Sequence, residues 1–436
     1  GAGAWLPSRP DPLLTASVMN APVAQSNAGP VSPWPLFWTV VLTLGAWMAG
    51  VIWPRFLVTL GIYDYGRMYL DSYAILAALD AVRAGADPHG ANALDVLMRP
   101  HVYSDWWLGL RWLGLTREHN FLVGTAWAGA FGLAIWSTAR PRNLPEAFWL
   151  AALMISPPVM LAVNRANNDL VILVLLAGCG LVAAAPVWWR AAVAVACLGL
   201  ATGLKYFPAP AALAFLWVRP VRRSPAVLLA GLVVVGLALA SVWTQVERGR
   251  FHIASGIYTM GAPLWWRDLG WTDKAAALPS LLLIVVPALA LAWSGVTVGL
   301  TVRGQPRERL LAALGAIVLL SCFLAGVNYA YRWIFALWPA VWLWRQAADL
   351  APGRTRWAAR LACALVLLGL WLDGVLCVIV NLFFRDQVPA WQNQLDLVWR
   401  QWTQPLHWML MMMLAGWLVE GAVATLREWW SLRHEK

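Results

Sequence analysis

The chain has 436 residues, of which 61% are apolar and only 12% charged, a balance that excludes an ordinary soluble domain and points to a polytopic membrane protein. A formal net charge of +11 does not signal nucleic acid, because the Lys and Arg residues punctuate the ends of apolar segments and form no basic stripe. Membrane lipids are the expected surroundings.

Residues 1–35 are rich in Pro, Ala, Ser and Gly, lack a continuous apolar run, and are expected to form a flexible tail. The membrane domain is expected over 36–424, with a cytoplasmic tail at 425–436. Apolar windows predict about twelve transmembrane helices, near 36–57, 120–138, 147–163, 169–187, 190–204, 206–218, 225–243, 276–299, 308–326, 330–345, 357–380 and 406–424. With the N-terminus in the cytoplasm, Arg140, Arg142, Arg190, Arg219, Arg222, Arg223, Arg303, Arg307, Arg309, Arg345, Arg354, Arg356 and Arg360 all fall in cytoplasmic connections. The outer side then receives long loops at 58–119, 244–275 and 381–405, and short polar turns near 164–168, Lys205 and 327–332.

In the first outer loop, "DSYAILAALDAVRAGADP" (71–88) places Ile75, Leu76, Leu79 and Val82 at helical spacing and ends on a Gly-containing stop. This predicts an amphipathic interfacial helix with Asp71 at its N-terminus, where the helix dipole favours a carboxylate. An N-cap role alone also suits Asp71. All five cysteines lie in apolar runs without metal or disulfide spacing, and no disulfide or structural zinc is expected. Most of the 32 tryptophans sit at expected span ends and read as an aromatic belt. Trp265, Trp266 and Trp271 lie in an outer loop, where they can dip into the headgroup layer or stack on a sugar.

Each short outer turn bears one cation, against the general charge bias, so each calls for a partner or a purpose. Arg165, Lys205 and Arg332 supply positive charge; Asp64, Asp71 and Asp169 supply carboxylates; Asn164, Asn167, Asn168 and Asn328 supply amides. Arginine's planar fork and lysine's point charge suit a phosphate, and a nearby carboxylate can take a proton from an attacking hydroxyl. Plainer readings exist for each residue. Arg165 and Asp169, four apart, suit a local ion pair with Asn167 or Asn168 capping the next helix; Lys205 suits snorkelling; Arg332 suits anchoring a span end.

Four ordered segments, "LDSYAILAALDAVRAGADPH", "NRANNDL", "LKYFP" and "NYAYRWIF", resemble motifs of the GT-C superfamily of membrane glycosyltransferases. The similarity is to the branch, formerly a domain of unknown function, that includes polyprenyl-phosphate-mannose-dependent mannosyltransferases, and it covers about residues 36–345. His89 stands where that branch usually has tyrosine, and "HVYSDWW" (101–107) replaces an Asn-Tyr-Pro-like stretch. The resemblance implies a GT-C-like all-α bundle in a bacterial inner membrane with an extracytoplasmic site. It also implies transfer of a hexose, mannose favoured, from a polyprenyl-phosphate donor to a lipid or glycan acceptor. Asp71, fourteen positions before Gly85, matches the family's catalytic aspartate, with Asp64 in reserve. Arg165, Lys205 and Arg332 would bind donor phosphate, and Asn167, Asn168, Asp169, Asn328 and Tyr331 would position substrate. No metal ligand set and no cofactor requirement emerge, since Asp-x-Asp, Walker-type and dinucleotide-binding motifs are all missing. A divalent ion stays open. The competing expectations are a transporter or flippase of lipid-linked anions, which would use the same cations as pathway lining, and a non-catalytic envelope scaffold.

Overall fold

The computed structural model describes residues 32–62, 67–183, 188–217, 225–244, 247, 259–294, 305–383 and 388–434. These are almost entirely helical, because a backbone in hydrocarbon must satisfy its own hydrogen bonds. Among the described residues six helices are long and apolar enough to cross a membrane, and this marks an integral membrane protein. They are α1 (Trp34–Ile52), the segment Arg117–Thr138 containing α4 (Asn120–Thr138), α11 (Asp273–Trp293), α12 (Pro306–Ala325), α14 (Arg354–Phe383) and α15 (Val388–His434). A seventh crossing is formed if α5 (Leu144–Met154) and α6 (Pro157–Asn164), bent by 57° at their junction, act as one span. Pro157 and Pro158 open α6, where a missing N–H costs nothing in a first turn but prevents a straight continuation from α5.

Several expected spans are shorter than a bilayer. Residues 206–218 contain a 3-10 helix, Ala209–Trp217, and 330–345 divide between a 3-10 helix, Ala330–Ala336, and α13 (Leu337–Asp349). Within the described residues, the apolar helices α7 (Asp169–Ala183), α8 (Trp188–Leu204) and α9 (Pro225–Ser241) have fewer than 18 residues each, and α7 ends while α8 and α9 begin where the described residues stop. Hydropathy alone does not give the length of a regular helix, since a 3-10 turn or a break can interrupt an apolar run without changing its composition.

The first loop is folded. After the short α2 (Pro54–Thr59) comes α3 (Leu70–Arg83), and its C-terminus closes at Ala84 with Gly85 at φ +74°. Residues 70–79 are all buried, so the helix expected to lie along a membrane surface is enclosed by protein on every face over its first turns. A 3-10 segment, Asp105–Leu113, covers it and is fastened to the end of α8: Trp107 Nε1 donates to the Leu204 carbonyl (3.2 Å) and Ser104 Oγ to the Gly203 carbonyl. A two-residue antiparallel pairing joins β1 (Thr259–Met260) to β2 (Asn328–Tyr329) ahead of α10 (Ala262–Asp268). Gly261 permits it, because a Cβ there would lie 2.2 Å from the Gly326 carbonyl oxygen.

At the other end of α5, α12 and α13 sits an ion network. Buried Arg345 pairs with Glu146 and Glu308 and donates to the Arg140 carbonyl, while Arg142 pairs with Glu308 and Asp349. It ties three helices together on the side expected to be cytoplasmic.

Candidate functional site

The turn between α6 and α7 organises the opposite face. Its backbone reaches sideways to the start of α3: the Asn164 carbonyl accepts from the Tyr69 N–H (2.8 Å) and the Arg165 carbonyl from the Asp71 N–H (2.8 Å). Two non-glycine residues, Tyr69 (φ +62°) and Ala166 (φ +42°), adopt left-handed backbone to make this junction. The Tyr69 ring occupies the space above Gly124, where any Cβ would come within 2.3 Å of it.

This pairing delivers Asp71 to Arg165. Arg165 donates to both carboxylate oxygens, Nε to Oδ2 at 3.0 Å and Nη2 to Oδ1 at 2.7 Å, and Asn167 Nδ2 adds a bond to Oδ2 at 2.6 Å. Arg99 Nη1 stands 3.4 Å from Oδ1. Asp71 is only 2% exposed. Burial alone raises its pKa, but the Arg165 charge, the hydrogen bonds from Arg165 and Asn167 and the Arg99 charge together hold it below the ordinary carboxylate value. Arg165 moves oppositely: burial disfavours its charge, and Asp71 more than restores it.

Asn167 links this group to a second. Its Oδ1 accepts from the Asp169 N–H (2.9 Å), so one amide touches Asp71 and orients the first residue of α7. The fully buried Asp169 pairs with Lys205 and lies 3.7 Å from Arg332 Nε. Arg332 is held by Asn328, whose amide nitrogen donates in turn to the Cys322 and Gly326 carbonyls. Phe207 lies under both cations, 5.5 Å from Lys205 Nζ and 4.6 Å from Arg332 Cζ. Burial pushes the Lys205 ammonium below its ordinary pKa; Asp169 opposes that shift and Arg332 reinforces it.

Arg165, Asn167, Asp169, Lys205, Asn328 and Arg332 are thus brought together with Asp71. The ion pairs are not local, because Arg165 and Asp169 each choose a partner remote in sequence over each other. Tyr331 joins them: burial and the charge of Asp169, then Asp71, raise its pKa, so it stays a neutral hydroxyl. Asn168 is fully buried beside the cluster, and neither of its side-chain polar atoms has a hydrogen-bond partner among the described residues. Asp64 lies outside the described residues.

Three participants escaped the sequence reading. Asp95 and Arg99 pair in the first loop (Nη2 to Oδ2 2.9 Å), and Arg99 also donates to the Leu70 carbonyl (2.7 Å). Tyr103 lies 5.8 Å from Lys205 Nζ by its ring centroid, and burial followed by the Asp71 charge raises its pKa well above the ordinary phenol value. The four-residue separation of Asp95 and Arg99 was a legible signal of their pairing; their meeting with Asp71 was not. Trp265 packs against Trp408, and Trp266 donates to Ser280 Oγ (2.8 Å), so both are tied to the helical body. Trp271 stays 45% exposed beside Trp266.

Among the described residues the cluster holds four cations, Arg99, Arg165, Lys205 and Arg332, against three carboxylates, Asp71, Asp95 and Asp169, which leaves one positive charge in excess, 4 − 3 = 1. Among the described residues no group of three or more His, Cys, Asp or Glu side chains can hold a metal ion. Chemically the arrangement can take up an anion and can present a carboxylate beside it. Neither family models, nor curated proteins, nor solved structures give a match to this chain.

Proposed function

We propose that the protein is a polyprenyl-phosphate-sugar-dependent glycosyltransferase of GT-C-like architecture, moving a hexose, with mannose favoured, to a lipid or glycan acceptor outside the cytoplasm. The observation that supports this reading best is the single excess positive charge, among the described residues, of a buried cluster that also contains a carboxylate. A phosphodiester-linked sugar bears one negative charge, so its headgroup neutralises the site. Arg332 and Lys205 hold the phosphate, with Arg165 beside them.

In the reaction the bond between the sugar's anomeric carbon and the phosphate oxygen breaks as the acceptor oxygen bonds to that carbon. The acceptor proton passes to Asp71, and the departing polyprenyl phosphate acquires a second negative charge, which the preorganised cations stabilise. Displacement in one step inverts the anomeric configuration. Without ligand, Asp71 serves as counter-ion to arginine and is a weak base. An incoming phosphate draws on Arg165 alone and so loosens its hold on the carboxylate as the donor binds. Asn168, whose amide is unmet by protein, suits a hydroxyl of the bound sugar.

Purified protein in lipid nanodiscs, given polyprenyl-phosphate mannose and a membrane acceptor extract, is expected to form a glycosidic product. Loss of the base in Asp71→Asn should lower turnover by about 10²- to 10⁴-fold. Normal turnover by that variant removes Asp71 from the mechanism.

The broken α5–α6 pair, ending at the arginine of the site, supports a second reading as a transporter of lipid-linked anions, since interrupted helices line such pathways. Vesicle translocation of the lipid-linked anion without any glycosidic product would favour it.

A further inference from the structure

Asp71 must expose a lone pair to act as a base, yet its two oxygens already receive four donors. The donors are unequal. Arg165 makes a two-point contact at 2.7 and 3.0 Å and Asn167 one at 2.6 Å, whereas Arg99 Nη1 approaches Oδ1 only to 3.4 Å. Arg99 is 24% exposed by its side chain, and its main partner is Asp95, which takes Nε at 3.0 Å and Nη2 at 2.9 Å. Nη2 also donates to the Leu70 carbonyl at 2.7 Å, and a small rotation about the Nε–Nη2 edge carries Nη1 away from Oδ1 while leaving these three bonds in place. Arg99 comes from the outer loop, as does Tyr103, while Arg165 and Asn167 come from the α6–α7 turn, Lys205 follows α8 and Tyr331 lies on the 3-10 helix before α13. Among these charged and titratable neighbours, Arg99 is the one whose release uncovers Asp71 without dismantling the junction that positions it.

We propose that Arg99, tethered by Asp95, is a positioning residue that occupies the acceptor-hydroxyl place at Asp71 Oδ1 in the ligand-free protein and swings aside when the acceptor enters. The proposal rests on the transferase reading above. It makes the first loop part of acceptor selection through a defined contact: the acceptor must offer a hydroxyl that replaces a guanidinium N–H.

Two readouts test it. The first needs no turnover: labelling of Asp71 by dicyclohexylcarbodiimide, followed by peptide mass spectrometry. Wild type and Arg99→Lys are expected to be protected, while Arg99→Gln and the charge-balanced pair Asp95→Asn/Arg99→Gln react about tenfold faster, in line with removal of an opposite charge next to a carboxyl. The double variant avoids leaving Asp95 buried and unpaired. The second is steady-state kinetics with polyprenyl-phosphate mannose: removing the competing donor should lower the acceptor KM about fivefold while the donor KM holds, the scale of one hydrogen bond. A merely structural role would change both KM values or kcat alone. Unchanged labelling in both Gln variants, or an unchanged acceptor KM, overturns the proposal. A wild type that shows the labelling pattern but forms no product overturns the transferase reading, and with it the acceptor's place at Oδ1.

Discussion

Asp169→Asn tests whether the buried ion cluster is held together by its central carboxylate. Asp169 is fully buried and serves both Lys205 and Arg332, the second at 3.7 Å. At an effective dielectric of about 20, one pair at that separation is worth about 4.5 kcal/mol before desolvation is counted. Measured losses on breaking a buried pair run at about 3–5 kcal/mol, because the surviving charge keeps its burial and loses its compensation. The expected loss for Asp169→Asn is therefore about 3–5 kcal/mol in denaturant unfolding in lipid bicelles. Adding Lys205→Met removes one stranded cation while preserving most of its volume, and should recover about half of the loss.

The pH dependence has a definite sign. Burial lowers the Lys205 pKa from 10.5 in the folded protein, so between the folded and unfolded values the folded state binds fewer protons and stability rises with pH. Removing Asp169 deletes the group that supports the ammonium, so this rise should begin at lower pH in Asp169→Asn. Stability of the single variant within about 0.5 kcal/mol of wild type, the range of an ordinary surface change, would refute the reasoning, as would a double variant no better than the single.

Further outcomes follow from the packing. Gly124→Val should cost about 1–3 kcal/mol in the same unfolding assay, because its Cβ would enter the Tyr69 ring, whereas Gly45→Ala, with nothing within 4 Å, should be neutral or stabilising by up to about 1 kcal/mol. Ala166→Gly relieves a left-handed backbone worth about 1–2 kcal/mol but removes a buried methyl worth about 0.8 kcal/mol, so a near-neutral or slightly stabilised variant is expected on the denaturation midpoint. Glu146→Ala deprives buried Arg345 of its nearest carboxylate; with Glu308 still in place, a loss near about 3 kcal/mol is expected.

The sequence by itself determined that this is a helical membrane protein, because composition and apolar run length answer directly to the solvent. It also singled out the bends that carry cations, since a cation beside an apolar segment stands out locally: Arg165, Lys205 and Arg332 were visible for that reason. Tertiary structure decided the partners. Arg165 pairs with Asp71 across 94 positions of chain, and a neighbour-based reading would have paired it with Asp169 four residues on. It also divided residues 330–345, one apolar run in composition, between a 3-10 helix and α13. The meeting of Asp95, Arg99 and Tyr103 with the cluster stayed hidden until α3 is enclosed and the α6–α7 turn is laid against it. Run length and local charge are properties of neighbours along the chain, whereas an ion cluster depends on which distant backbones can hydrogen-bond side by side.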